Sequence, residues 1–109
     1  MRNQSATHSA NLAFQALADP TRRALLDLLR HGSQSTGEIA RSFPVSRPAI
    51  SKHLRLLLRA DLVHEQRRGR NRIYQINPKP LKAVDRWLAQ YRVFRDSKLA
   101  GLKAYVEKK

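Results

Sequence analysis

Three helix-start signals crowd the stretch from Asp19 to Pro48. Asp19-Pro20 pairs an N-cap carboxylate with a proline at the first helical position, where its missing N–H costs nothing. Ser35 and Glu38 have the spacing of a capping box, in which each side chain answers the other's orphan backbone N–H. Ser46 is a further cap, one residue ahead of Arg47-Pro48. Gly32 and Pro44 supply the stops between them. A chain punctuated this closely must fold here as short helices joined by tight turns.

The apolar residues agree with that punctuation. "SANLAFQALA" reads as a short first helix with Leu12, Phe14 and Leu17 apolar, ending at Ala18-Asp19-Pro20. In "LADPTRRALLDLLRHG" Leu25, Leu28 and Leu29 recur at helical spacing, and Ile39, Ala40 and Phe43 form the inner face of a third short helix. "SRPAISKHLRLLLRA" is the fourth. After Ala60 the period changes: Leu62 to Gln66 and Arg72 to Ile76 are β-prone runs flanking an Arg/Gly/Asn turn, which predicts a hairpin with Tyr74 and Ile76 on one packed face. Asn77, Pro78 and Pro80 mark the next boundary. From Leu81 to about Glu107, apolar residues at 81, 84, 88, 91, 99, 102 and 106 predict a final helix roughly 40 Å long, with a kink near Gly101. The expected architecture is mainly α, about five helices with one small β-hairpin. It is a single domain over residues 1–109, with a core in 10–78 and a long terminal helix in 80–107. A chain of 109 residues is too small to cover such a helix by itself, and its modest core gains from a partner subunit.

Charge narrows the function. The chain carries 22 Lys and Arg against 8 Asp and Glu, a formal net charge of +14, a self-repulsion that is either offset by a polyanionic partner or tolerated. Nucleic acid is the commonest for such a chain. An anionic membrane surface competes, but no run approaches the roughly 20 apolar residues that span a bilayer, so no membrane partner is expected. The first residues, "MRNQSATHSANLAF", lack the apolar core of a signal peptide, and cysteine is absent. Together these fit a cytoplasmic setting. The basic charge is also uneven: residues 41–72 carry nine basic and two acidic side chains, whereas residues 1–40 carry four and three.

Residues 47–59 separate sharply when placed at about 100° per residue. Pro48, Ser51, Lys52, Arg55 and Arg59 share an arc roughly 100° wide, and Ala49, Ile50, His53, Leu54, Leu56, Leu57 and Leu58 occupy most of the rest. A basic stripe alone is usually a solvated face. Here it follows a short capped helix across a tight turn and precedes an arginine-rich hairpin. A helix pair whose second member exposes Ser, Arg and Lys near its start suits entry into the major groove of duplex DNA. The expected groove contacts are Ser46, Arg47, Pro48, Ser51, Lys52 and Arg55. In the hairpin tip "RRGRNR", Gly69 allows the turn, and Arg67, Arg68, Arg70, Asn71 and Arg72 are placed for phosphates or a narrow minor groove.

The run from "ALADPTRRALL" through "SRPAISKHL" and "ADLV" to the Arg/Gly wing ending in "IYQI" resembles the winged helix-turn-helix of the ArsR-type bacterial transcription repressors. The similarity covers about residues 14–76. It implies a sequence-specific repressor of transcription, a homodimer built from the first and last helices, and an operator with two-fold symmetry. The residues facing the partner copy would be Leu12, Phe14, Leu81, Val84, Trp87, Leu88, Tyr91 and Phe94. Metal-sensing members carry cysteines in the third helix or a D-x-H and H-x-x-E set in the last; this chain has "STGEIARSF" and "DRW" there. It is similar instead to a metal-free subgroup with an aromatic-rich terminal helix. No metal or other cofactor is expected, and regulation falls to a different signal or to protein level alone.

Other readings of the same residues stand beside these. His53 lies in the apolar arc, as a hydrogen-bonded core or backbone-contacting histidine or as a direct DNA contact. His8, His31 and His64 show no ligand spacing. Trp87, Tyr91 and Phe94 fit a core or a dimer seam better than a ligand cage. Ser51 and His53, two apart on one helix, point to different sides and form no nucleophile and base pair, and the eight carboxylates show no evident pair, so catalysis is not expected. Two alternatives to a sequence-specific repressor remain: a general nucleic-acid binder of RNA-associated or nucleoid type, and an interaction module whose terminal helix docks on another protein.

Overall fold

The structure, a computed structural model, describes residues 4–92. In chain order it contains α1 (Gln4–Leu17), α2 (Pro20–Leu29), β1 (Gln34–Ser35), α3 (Thr36–Ser42), α4 (Arg47–Arg59), β2 (Val63–Arg68) and β3 (Asn71–Ile76). A further helix, α5, runs over residues 79–92. The end of the expected terminal helix, with Phe94 and Gly101, lies outside the described residues.

Helix α1 is longer than the sequence predicts, starting at Gln4 ahead of Ser9. The added turn carries no apolar periodicity, so pattern alone does not find it. Its buried residues are the small Ala13 and Ala16, one turn apart, with Leu12, Phe14 and Leu17 only partly covered. The carbonyls at its end are satisfied by side chains from the next helix. Arg22 donates from Nε to the Ala16 carbonyl at 2.7 Å and from Nη2 to that of Gln15 at 3.2 Å, and Arg23 donates to Leu17 at 2.7 Å.

Every predicted cap is present. Asp19 accepts from the Arg22 N–H, Ser35 and Glu38 form the reciprocal capping box, and Ser46 accepts from the Ala49 N–H. Gly32 stops α2 at φ +141°, a conformation that side chains rarely adopt. Along α2 the buried leucines are Leu25, Leu26 and Leu29, with Leu28 half-buried, so the apolar stripe is turned slightly from the expected set.

The sheet has one strand more than the expected hairpin. β1, only two residues long, pairs antiparallel with β3 through Gln34↔Tyr74 and Ser35↔Ile73, giving the order β1-β3-β2. Two residues are too few to show a period of two. The hairpin strands also extend further toward the tip, to Arg68↔Asn71, leaving the two-residue loop Gly69-Arg70. Gly69 takes φ +60° in the first loop position, where a type II′ turn needs glycine.

Asn77 does more than mark a boundary. Its side chain donates to the Asp61 carbonyl at 2.7 Å, bracing a residue held at φ +62°, and its Oδ1 accepts from the Lys79 N–H at the start of α5. One buried polar residue thus locks the α4–β2 turn to the last helix. The core between these elements is built from Leu25 and Leu29 of α2, Ile39 of α3, Ile50, Leu54 and Leu57 of α4, and Leu62 and Val63 at the start of the hairpin.

Candidate nucleic-acid interface

Helix α4 has two faces. Ile50, Leu54 and Leu57 point into the core, and Pro48, Ser51, Lys52, Arg55 and Arg59 are all exposed, as the wheel predicts. Ser46 and Arg47 are exposed at its start. The Ser46 hydroxyl oxygen is occupied as the N-cap at 3.2 Å, leaving its O–H to donate outward.

His53 is turned toward α2 instead of the outward stripe. Its Nδ1 lies 3.4 Å from Arg22 Nη1 and 3.8 Å from Asp19 Oδ2. The Asp19 carboxyl is held below its ordinary range, chiefly by the Arg22 N–H that it accepts, with the charges of His53 and Arg22 acting in the same direction. The ring therefore ties α4 to the start of α2, which favours the packing role over a DNA contact.

Strand register divides the wing residues that the sequence grouped together. Arg67 and Arg72 are directly opposite each other, on the face that also holds Glu65 and Tyr74. Arg68 and Asn71 form the next pair toward the tip and lie on the other face, and Arg70 is in the loop. All five named wing residues are exposed. The Tyr74 hydroxyl donates to Glu65 Oε2 at 2.7 Å, and Arg72 Nη1 donates to the same oxygen at 3.2 Å. Burial, together with that carboxylate, raises the Tyr74 phenol above its ordinary value.

Helix and wing meet around a concavity of about 360 Å³. Ser51 and Arg55 line it from α4, Arg72, Glu65 and Tyr74 from the hairpin, and Thr36 from α3. Side chains as far apart in the chain as Thr36 and Tyr74 are thus brought to one surface. Arg41 was not among the expected contacts, yet its Nη1 and Arg47 Nη2 lie 3.6 and 3.9 Å from where a Cβ on Gly37 would sit. Two guanidinium groups therefore flank the first turn of α3. The available signals were Arg41's place in the basic block and its four-residue spacing from the only residue in α3 without a side chain.

On another side of the molecule, Trp87 and Tyr91 of α5 are 46% and 47% exposed, and Leu88 is 44% exposed. Trp87 meets Phe14 of α1 edge-on at 5.3 Å and Tyr91 at 4.9 Å. Leu12, Phe14 and Leu81 are half-buried against the core, and Val84 is turned into it, so Val84 belongs to the chain's own interior. Among the described residues no cluster of three or more His, Asp and Glu side chains could hold a metal ion, and no helix is long and apolar enough to cross a membrane.

The helix-turn-helix domain family matches residues 17–66, from the end of α1 into β2. The HTH-type transcriptional regulator Rv2034 of Mycobacterium tuberculosis is 49% identical over 80 residues, covering 73% of this chain and 75% of that protein. The transcriptional repressor SdpR of Bacillus subtilis is 38% identical over 81 residues, covering 74% and 90%. The solved structure of an ArsR-like transcriptional regulator from Rhodococcus sp. RHA1 superposes with a TM-score of 0.74 at 31% identity, over 99% of both chains. With its capped helix pair, its exposed basic stripe and its three-stranded wing, the chain belongs to the ArsR family of winged helix-turn-helix transcriptional repressors.

Proposed function

We propose that this repressor acts in the cytoplasm as a homodimer, laying α4 of each copy into the major groove at two half-sites of an inverted repeat. Ser51, Lys52 and Arg55 reach base edges, with Ser46, Arg47 and Pro48 at the groove entrance. The wing residues Arg67, Arg68, Arg70, Asn71 and Arg72 hold phosphates or enter the adjacent minor groove, and Arg41 adds a phosphate contact beside Arg47. The observation that carries this reading is the division of α4: its apolar residues are buried and its basic and hydroxyl residues share one exposed stripe beside the wing. The exposed α5 aromatics supply the partner surface. With no metal-ligand set in the places that metal-sensing relatives use, release from DNA follows another signal or falling protein level.

Selection of bound fragments from genomic DNA, followed by footprinting, tests the reading. Two protected half-sites about one helical turn apart are expected. Arg55→Ala weakens the selected site more than random duplex, and Arg70→Ala weakens both alike. Each phosphate contact removed lowers the steepness of the log–log salt dependence by about 0.9. Equal losses for Arg55→Ala on operator and random duplex would sink the base-reading role.

A further inference from the structure

Residues 41–72 hold only two acids, and one of them, Glu65, sits inside the basic surface. An acid placed there opposes binding of a polyanion, so its presence needs a physical reason. The sheet register supplies one. Arg67 and Arg72 are cross-strand partners, and like charges directly opposite each other repel and splay apart. Glu65 is two residues further from the tip on the same face, opposite Tyr74 and diagonal to Arg72.

Its Oε2 accepts from both neighbours, Tyr74 O–H at 2.7 Å and Arg72 Nη1 at 3.2 Å. Tyr74 is 5% exposed and part of the core, so its hydroxyl is a fixed point. Arg72 is also tethered through its backbone, since the Thr36 hydroxyl lies 3.5 Å from its carbonyl oxygen. A continuous chain of contacts runs from the core through the Tyr74 hydroxyl and the Glu65 carboxylate to the Arg72 guanidinium. That guanidinium then lines the same concavity as Ser51 and Arg55 of α4.

We propose that Glu65 is a positioning residue for sequence discrimination: anchored by Tyr74, it holds Arg72 beside Arg55, so that wing and helix engage the duplex in one fixed relation. The inference rests on the operator-reading role above and deepens it. An unrestrained arginine follows any phosphate within reach and binds all duplexes alike. One ordered before binding is complementary to a single arrangement of groove and backbone, and loses less rotamer freedom on reaching it. Glu65 gives up some general attraction to DNA and gains a larger difference between right and wrong sites.

Affinities of the selected operator fragment and a random duplex are measured for the intact chain, Glu65→Gln, Arg72→Ala and the double variant, with thermal unfolding of each. Glutamine keeps the size and an acceptor for Tyr74 but removes the charge that restrains Arg72. Glu65→Gln is expected to lower the operator-to-random preference about tenfold, with random-duplex affinity unchanged or higher. Arg72→Ala lowers the preference similarly, and the double variant loses no more than either alone. A merely structural Glu65 would lower both affinities together and leave their ratio unchanged. A ratio that Glu65→Gln leaves within twofold, or a loss that adds in full to that of Arg72→Ala, overturns the positioning role. A wild-type chain that binds both duplexes equally overturns instead the operator reading beneath it.

Discussion

His53 Nδ1, on the helix that carries the basic stripe, lies 3.8 Å from Oδ2 of Asp19, the carboxylate that caps α2. The cap thus does two things: it accepts the Arg22 N–H at 3.0 Å and it faces the α4 imidazole. Its carboxyl is held below 3.8, so the stabilisation it provides is present above that value and is lost as pH falls through the lower folded value. Asp19→Ala is therefore expected to unfold at a lower temperature than the unaltered chain at neutral pH. The gap narrows as the buffer is acidified from 3.8 through that lowered value, because the carboxylate charge is then lost in the folded chain as well. Thermal unfolding at a series of pH values reads this directly, and a gap of constant size down to the acid limit contradicts it.

Leu57 is fully buried in the last turn of α4, on the face opposite Arg55. Leu57→Ala removes three heavy atoms from a packed site and is expected to cost about 2–5 kcal/mol in urea unfolding. A loss below roughly 1 kcal/mol would mean that α4 is not held as the structure places it.

Local chemistry made much of this fold legible. Asp19-Pro20, Ser35 with Glu38, and Ser46 each satisfy backbone groups within four residues, so they announce helices whatever the tertiary context. What escaped depends on partners distant in sequence. β1 exists because Gln34 and Ser35 meet Tyr74 and Ile73, and nothing within two residues encodes that pairing. The place of Glu65 turns on register, which sets it opposite Tyr74 and diagonal to Arg72. The stripe of α4 was readable because helical period is a local rule. The division of the wing arginines between two faces was not, because it turns on where the strands end and the loop begins.

Two glycines should respond to alanine with opposite signs. Gly69 has open space around its missing Cβ but sits at φ +60°, so Gly69→Ala strains the backbone alone, by roughly 1–2 kcal/mol. Hydrogen exchange between Arg67 and Arg72 should quicken as the hairpin frays. Gly37 lies within α3, and its nearest neighbour, the mobile end of Arg41, is at 3.6 Å, an ordinary contact. Gly37→Ala should therefore stabilise the chain by about 0.4–1 kcal/mol. Matching signs for the two substitutions would show that one of these backbones is not as described.

Trp87 gives the sharpest test of the partner surface. Within one chain its ring touches Phe14 edge-on and Tyr91 obliquely, yet 46% of it is exposed next to Leu88 and Tyr91, an apolar patch of the kind that usually marks an interface. Replacing it removes little from the monomer's core, to which Val84 and not Trp87 belongs. Trp87→Ala should therefore keep its helical circular dichroism while its mass by light scattering falls from dimer to monomer at micromolar concentration. Because a dimer engages two half-sites at once, operator affinity should fall by a factor of 100 or more, roughly the gain that linked sites confer. Affinity for a single half-site should change little. A Trp87→Ala chain that remains dimeric with undiminished operator binding places the partner surface elsewhere, and a wild-type chain that is monomeric at these concentrations removes the homodimer altogether.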